Sequence, residues 1–380
     1  MTDEELHAHL IGRQGSRKAL NTPVLVIELD ALSRNIARMA EFAAAHGLNL
    51  RPHAKTHKSP DIARLQIDAG AIGACCAKLG EAEALADGGV ARGLHITSPV
   101  VSAPAIARLI ALNARTEDLM VVVDSPLNVA ALGEAAKGET PLQVIIDIDP
   151  GIHRTGAPSP EAAVAVFEAI RAEPALRYRG VQYYCGMQQH IEDFAQRKDA
   201  IVERTDYLRR VIAALTEAGG APDIVTGGGT GTHVIDAELG AFTELQVGSY
   251  IFMDSQYLAC DLVGEGRPAP FETALMIDAR VVSANSPGLV TLDAGFKAFS
   301  TDADQPVPIA GAPAGALYRF MGDEHGALIV GDAKPPALAD IVTLAAPHCD
   351  PTVNLYDTYH VVQGDTLRAL WPVAGRGKSR

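Results

Sequence analysis

The chain has 380 residues, 48% hydrophobic and 21% charged, with 46 acidic against 32 basic side chains and a formal charge of −14. That length suits about two domains, or one barrel with an appendage, and the apolar content excludes a disordered chain. The negative charge repels phosphate backbones, so no nucleic-acid partner is expected. No apolar run approaches the roughly 18 residues that span a bilayer, and no membrane partner is expected either. The first residues, MTDEELHAHL, are acidic and polar, unlike a secretory signal or presequence. Five cysteines (Cys75, Cys76, Cys185, Cys260, Cys349), odd in number and without a CxxC, read as thiols of a reducing cytoplasm.

In chain order, the run VLVIEL at 24–29 opens a strand, and Asp30 is placed to cap a helix carrying Leu32, Ile36, Met39 and Phe42 on one face, stopped by Gly47. Eight further β-like runs begin near Leu48, Ala71, Leu94, Leu119, Leu142, Tyr178, Asp223 and Leu245, with helical stretches between most of them. The clearest helix is SPEAAVAVFEAIRAEP, with Ser159 as N-cap, Pro160 at the first helical position, Ala163, Phe167 and Ile170 on one face, and Pro174 as breaker. Eight runs with crossover-length gaps predict an α/β fold, a closed (β/α)8 TIM-like barrel. An open nucleotide-binding sheet would need an early GxGxxG, which the chain lacks. Past residue 260 the strand-like runs FETALMIDARVVSANSPGLVTLDAG and LYDTYHVVQGDTL predict an all-β domain. The expected division is a barrel over 25–260 and a β-rich domain from 1–24 and 261–380, with GRGKSR as a loose tail.

Catalytic groups of a barrel come from the C-terminal ends of its strands, and four polar stretches stand out. RPHAKTHK (51–58) carries lysines that partial burial can make nucleophilic toward an aldehyde, or it is a basic surface loop. In DIDPGIHRTG (147–156), Arg154 can fix a phenolate or carboxylate through its planar fork, or it pairs with Asp147 or Asp149. TGGGTGTH (226–233) can turn backbone N–H groups onto a phosphate, or it is a tight βα turn; it fits neither the Walker nor the dinucleotide pattern. In PHCDP (347–351), His348, Cys349 and Asp350 are metal-ligand types; in an extended segment His348 and Asp350 face one way and Cys349 the other.

Together RPHAKTHK, the arginine of DPGIHRTG, GGGTGTH, TELQVGSYIFMD and PHCD…TVNL resemble the D-threonine aldolase and D-serine dehydratase family, pyridoxal-phosphate enzymes of the alanine-racemase fold type. The resemblance runs from about residue 20 to about residue 365 and, within the family, is greatest to bacterial D-3-hydroxyaspartate aldolases. It implies that Lys55, not Lys58, is the Schiff-base lysine and that Arg154 contacts the phenolic oxygen. It implies a phosphate grip from the backbone of Gly228, Gly229 and Thr230 with Gly248, Ser249 and Tyr250. Gln246 falls where alanine racemases place an arginine against the pyridine nitrogen, a departure that weakens a racemase reading. His348 and Asp350 match the metal pair; the related dehydratases have cysteine as second ligand. Histidine with a carboxylate suits magnesium or manganese, with zinc as the softer alternative.

The activity so implied is a pyridoxal-phosphate- and divalent-metal-dependent aldolase. It would interconvert 3-hydroxyaspartate with glycine plus glyoxylate, with D-threonine (acetaldehyde) second and a D-serine or 3-hydroxyaspartate dehydratase as the rival in the same fold. A pyridoxal-phosphate-binding protein without catalysis is the rival from another class. His57 and His190 are candidates for the base, Asp323, Glu324 and His325 for the edge of the metal site, and Arg51, His53 or His233 for a second substrate carboxylate. The resemblance also implies a homodimer.

Overall fold

The computed structural model describes residues 1–380, which form two compact units. One comprises Met1–Arg38, Ser249–Ala259 and Ala269–Arg376; the other comprises Met39–Gly248, Cys260–Pro268 and Gly377–Arg380. The strand expected to open the barrel domain, β1 (Val24–Glu28), instead lies in the first unit, so the boundary expected at 24/25 falls inside the helix Leu29–Ala45. The reason is pairing: β1 runs antiparallel to β10 (Leu275–Ser286) and parallel to β16 (Thr358–Gln363). The helix is capped by Glu28, whose Oε2 accepts the Ala31 N–H at 2.7 Å, and not by Asp30, which accepts from Gln363.

The barrel unit holds β2 (Asn49–Leu50), β3 (Ala74–Cys76), β4 (Leu94–Ile96), β5 (Met120–Val123), β6 (Leu142–Ile148), β7 (Leu176–Tyr183), β8 (Ile224–Gly227) and β9 (Glu244–Leu245). All pair in parallel, in the order β2-β9-β8-β7-β6-β5-β4-β3. The bridge between His53 and Cys75, with Cys75 N–H donating to Pro52 O at 2.9 Å, joins the two ends. The eight runs read from the sequence are these eight strands. MVVV of β5 is buried throughout, as a strand covered on both faces must be. Ser159 caps its helix as expected, accepting the Ala162 N–H at 3.2 Å, and Ala163, Phe167 and Ile170 are buried. The last residues are docked within this unit: Arg380 O accepts from Gly80 N–H and from Arg108, against the loose tail expected.

In the strand-rich unit β10 is the spine. Its first half pairs β1 and β15 (Ile341–Ala345), which also takes β12 (Val307–Ala310); its second half pairs β11 (Leu289–Leu292). β13 (Leu317–Phe320) and β14 (Gly326–Ile329) extend that arm, and β17 (Thr366–Pro372) pairs β16. The N-terminal segment adds short helical turns rather than strands; Leu10 and Leu20 join Val24, Val26, Met276, Val362 and Leu367 in one core. Arg17 clamps it with a two-point ion pair to the buried Asp278 at 2.7 and 2.8 Å. No helix is long and apolar enough to cross a membrane.

Candidate active site

Period-two alternation sorts each barrel strand into an inward and an outward row. On β6 the inward row runs Gln143, Ile145, Asp147 from N- to C-terminal end, and Asp147 pairs across to Gln182 of β7. At the C-terminal ends these inward groups form a hydrogen-bonded ring. Gln246 Nε2 donates to Thr226 Oγ1 (2.9 Å) and Gln182 Oε1 (3.2 Å). Gln182 Nε2 donates to Asp147 Oδ1 (2.9 Å) and Thr97 O (3.3 Å), and Thr155 Oγ1 donates to Asp147 Oδ2 (2.8 Å). His53 closes the arc: its Nδ1 accepts the Lys55 N–H at 3.3 Å, so the neutral ring carries its proton on Nε2, which faces Thr97 Oγ1 at 3.1 Å. Burial pushes the Asp147 carboxyl up to about 6, against the lowering hydrogen bonds of Gln182 and Thr155.

Lys55 sits in a one-turn helix, Ala54–Thr56, directly after this edge. The neighbouring Thr56 Oγ1 is buried without a hydrogen-bond partner and lies 2.7 Å from where a Cβ on Gly248 would be. Lys58, at φ +51°, is turned away into a buried ion pair with Glu81 at 2.5 Å. The loop after β8 is glycine-rich because Gln189 packs against it: a Cβ would fall 2.4 Å from Gln189 Oε1 at Gly229 and 2.0 Å from Gln189 O at Gly231. An orphaned hydroxyl, a glycine-rich loop and a lysine on one barrel rim fit the aldehyde and phosphate of pyridoxal phosphate. Within the loop the Gly229 N–H donates to Thr232 Oγ1 at 3.2 Å, so that amide is engaged inward and not, as expected, toward a phosphate. Of the remaining grip residues, Gly248 belongs to the barrel unit, whereas Ser249 and Tyr250 belong to the strand-rich unit.

Arg154 is exposed, its guanidinium 5.9 Å from the Tyr184 ring centre. Its two candidate carboxylate partners are satisfied otherwise: Asp147 as above, and Asp149 by the N–H groups of Gly151, Ile152 and His153 at 2.9–3.0 Å. Burial raises Asp149, but those N–H groups outweigh it and hold the carboxylate below its ordinary range. His57 is fully buried, and its Nδ1 accepts the Ser59 N–H at 3.1 Å, which uses the lone pair a neutral base would need. His190 is exposed in the loop after β7.

Two of the three groups considered for a second carboxylate are corrected. Arg51 points down the barrel, bonded through Nε and Nη2 to the buried Glu244 (2.9 and 3.1 Å) and through Nη1 to Gly93 O. His233 is buried, its Nδ1 on Thr230 O at 2.8 Å, and burial lowers it to about 4, so it carries no charge to offer. Arg51 also lines a cavity of about 670 Å³, which opens at the N-terminal ends of the strands beside Gly73, Gly93, Gln143 and Arg179.

In the strand-rich unit, residues Cys349–Val353 form a helical turn with His348 at the N-cap position, so the extended alternation expected for PHCDP does not hold. Pro351 is tolerated because it lies in the first turn, where its missing N–H has no helical partner. Cys349 is excluded as a ligand for a different reason: it is fully buried, burial and then the Asp254 charge push its thiol far up, and its N–H donates to Asp254 at 2.9 Å. His348 and Asp350 are half-buried, and His348 Nδ1 is 2.8 Å from Asp302 Oδ2, which leaves Nε2 as the ligand atom. One imidazole and one carboxylate with open positions fit a hard divalent cation. Asp323, Glu324 and His325 form the exposed turn between β13 and β14, where Lys297 pairs with Glu324 and Asp323. A second cluster, Asp3, His7 and His360, is metal-like in spacing, with ligand atoms within 4.8 Å. Its hydrogen bonds argue otherwise: His7 Nε2 accepts from Asn21 N–H at 3.0 Å, so Nδ1 carries the proton shared with His360 Nε2 at 2.8 Å.

With this geometry in place, the chain matches the family described as "Alanine racemase, N-terminal domain" over residues 27–256, and "Putative serine dehydratase domain" over 274–362. It is 38% identical to a 3-hydroxy-D-aspartate aldolase of Paracoccus denitrificans over 366 residues, 94% of this chain and 93% of that one. The chain belongs to the aldolase and dehydratase family of the alanine-racemase fold. A D-threonine aldolase of Arthrobacter sp. is a further relative, 36% identical over 95% of this chain and 94% of its own. The crystal structure of D-threonine aldolase from Filomicrobium marinum superposes with a TM-score of 0.90 at 36% identity, covering 95% of this chain and 97% of that chain. This family membership makes the protein a pyridoxal-phosphate enzyme and a lyase. Sequence reasoning misses Gln182 and Gln189, whose partners Asp147 and Thr232 lie 35 and 43 residues away, and with them the roles of Asp147 and Asp236.

Proposed function

We propose that this enzyme cleaves a D-configured 3-hydroxy amino acid between Cα and Cβ, and that its substrate is 3-hydroxyaspartate, giving glycine and glyoxylate. The observation that carries the reading is the division between the two lysines: Lys58 is locked onto Glu81, while Lys55 lies in the rim turn Ala54–Thr56, whose Thr56 faces Gly248. When bound, pyridoxal phosphate supplies an electron sink for the carbanion left at Cα. Lys55 would hold the aldehyde end, Gly228, Thr230, Gly248, Ser249 and Tyr250 the phosphate, and Arg154 the phenolic oxygen. Gln246 would face the ring nitrogen with its amide oriented by Thr226 and Gln182. His348 and Asp350 would hold the divalent cation, magnesium or manganese, whose Lewis acidity lowers the pKa of the substrate hydroxyl. His190 is assigned the proton of that hydroxyl, and His53 remains the group for the second carboxylate. The five buried cysteines, none in a disulfide, suit the cytoplasm, and the family resemblance suggests a homodimer.

Product analysis tests this reading: glycine with glyoxylate is expected from D-3-hydroxyaspartate, and a keto acid with ammonia would make the enzyme a dehydratase. Full turnover in EDTA would remove the metal from the reaction. His348→Ala is expected to keep the cofactor's visible band yet lose at least roughly a hundredfold in kcat/KM, and loss of the band would merge the two sites.

A further inference from the structure

The loop Gly228–Thr232 is held from below by three side chains that the reaction itself does not require. Thr232 Oγ1 donates to Asp236 Oδ2 at 2.6 Å and accepts from the Gly229 N–H at 3.2 Å and Gln189 Nε2 at 3.1 Å. A hydroxyl has one proton and two lone pairs, so all its bonding capacity is spent, and the carboxyl fixes which way the proton points. Gln189 Oε1 takes the Gly231 N–H at 3.0 Å, and its Nε2 also reaches Cys185 O at 3.3 Å. The glycines are explained by this bracket. A Cβ on Gly228 would lie 2.5 Å from Asp236 Oδ2, on Gly229 2.4 Å from Gln189 Oε1, and on Gly231 2.0 Å from Gln189 O. Asp236 is thus one backbone thickness beneath the loop.

We propose that Asp236 is a positioning residue of the phosphate loop and that its carboxyl takes up a proton from solvent as the cofactor phosphate binds above it. This rests on the reading that the loop receives that phosphate. The physical cause is repulsion between two anions across one strand of backbone, with no carboxylate-neutralising cation hydrogen-bonded to Asp236. The groups facing it are Tyr183 at the end of β7, Cys185 and Gln189 from the following loop, Thr205 from the helix Phe194–Glu217, and Thr232. The charges of Arg204 on that helix act on Tyr183 and Cys185, and those of Arg197 on His233. Burial already holds the carboxyl at about 7, against the lowering bonds of Thr232 and Gly229. A cavity of about 10 Å³ beside it has room for about one water to carry the proton in. The step balances as phosphate dianion plus one proton entering together, with no bond in the cofactor altered.

The test titrates the cofactor-free full chain with pyridoxal phosphate and, in parallel, with pyridoxal, which lacks the phosphate, between pH 7 and 8.5. Lys55 chemistry is common to both ligands and cancels in the ratio of their Kd values. In the wild type that ratio is expected to move about tenfold against pyridoxal phosphate per pH unit. In Asp236→Asn it should stay flat, and in Thr232→Val pyridoxal phosphate should bind about tenfold more weakly with pyridoxal unchanged. A wild-type profile in Asp236→Asn overturns the proposal. Should that variant not fold, calorimetry of the wild type in two buffers of different ionisation enthalpy decides. Uptake of about half a proton or more at pH 7.5, pyridoxal phosphate minus pyridoxal, supports the proposal, and none or a release overturns it. Absence of saturable binding by either ligand would instead sink the cofactor reading, and this inference with it.

Discussion

The two mouths of the barrel are built from the same eight strands and differ in what their polar groups are doing. At the N-terminal end lies a cavity of about 670 Å³, with Arg51 spent on Glu244 and Gly93 O, and Arg179 bonded to Gln143, which in turn donates to Asp118. At the C-terminal end seven side chains from six strands or the loops after them form one network, a carboxyl is held near neutrality, and a hydroxyl is left unsatisfied. Chemistry collects where polar groups are oriented but not fully paired.

That contrast can be broken most sharply at the lysines. Lys55→Ala should abolish the visible cofactor band and lower turnover by roughly three orders of magnitude or more. Lys58→Ala should keep the band and lose stability instead, by about 3–5 kcal/mol, because Glu81 is left buried and unpaired; a lost band in that variant would reverse the assignment. Next in size is the barrel interior. Glu244→Gln strands the Arg51 charge and should cost about 3–5 kcal/mol in denaturant unfolding, with cofactor affinity in the folded fraction unchanged.

The pH dependence of stability is subtler and has two flanks. Asp147, held at about 6, contributes stability that is fully present below the ordinary carboxylate range and lost as pH rises through 6. His95 and His233, lowered by burial to about 3 and about 4, cost stability as pH falls below the ordinary imidazole value of about 6.5, because only the unfolded chain takes their protons. Thermal midpoints against pH should trace a dome, and His233→Gln should flatten its acid side. The smallest effect belongs to the N-terminal cavity: Arg179→Gln should change kcat/KM by less than about twofold. A larger change would mean that the two mouths are coupled.

Much of this was legible in the chain. Strands covered on both faces read as unbroken apolar runs between glycines and prolines, so all eight barrel strands were placed, and the GGGTGT loop announced itself by composition. What escaped depends on which end of a strand a side chain points to and on distant partners. Arg51 and His53 stand two residues apart in one motif, yet the first reaches down to Glu244 and the second across to Thr97. Gln189 meets Gly231 across 42 residues and carries no local signal. The helical turn at Cys349 was hidden by prolines that usually end helices but are harmless in the first turn. The first strand was expected in the barrel unit because VLVIEL reads as a buried strand and fits the sheet of either unit.

The barrel's seam has a consequence for synthesis. Asn49 acquires its neighbour in Glu244, and the segment leading to the reactive amine is hydrogen-bonded on that side by Leu245 and Val247. A ribosome must therefore deliver nearly two-thirds of the chain before the turn at residue 55 has its final shape, so, if Lys55 is the reactive amine proposed above, a nascent fragment cannot present it preorganised to the aldehydes of the cell.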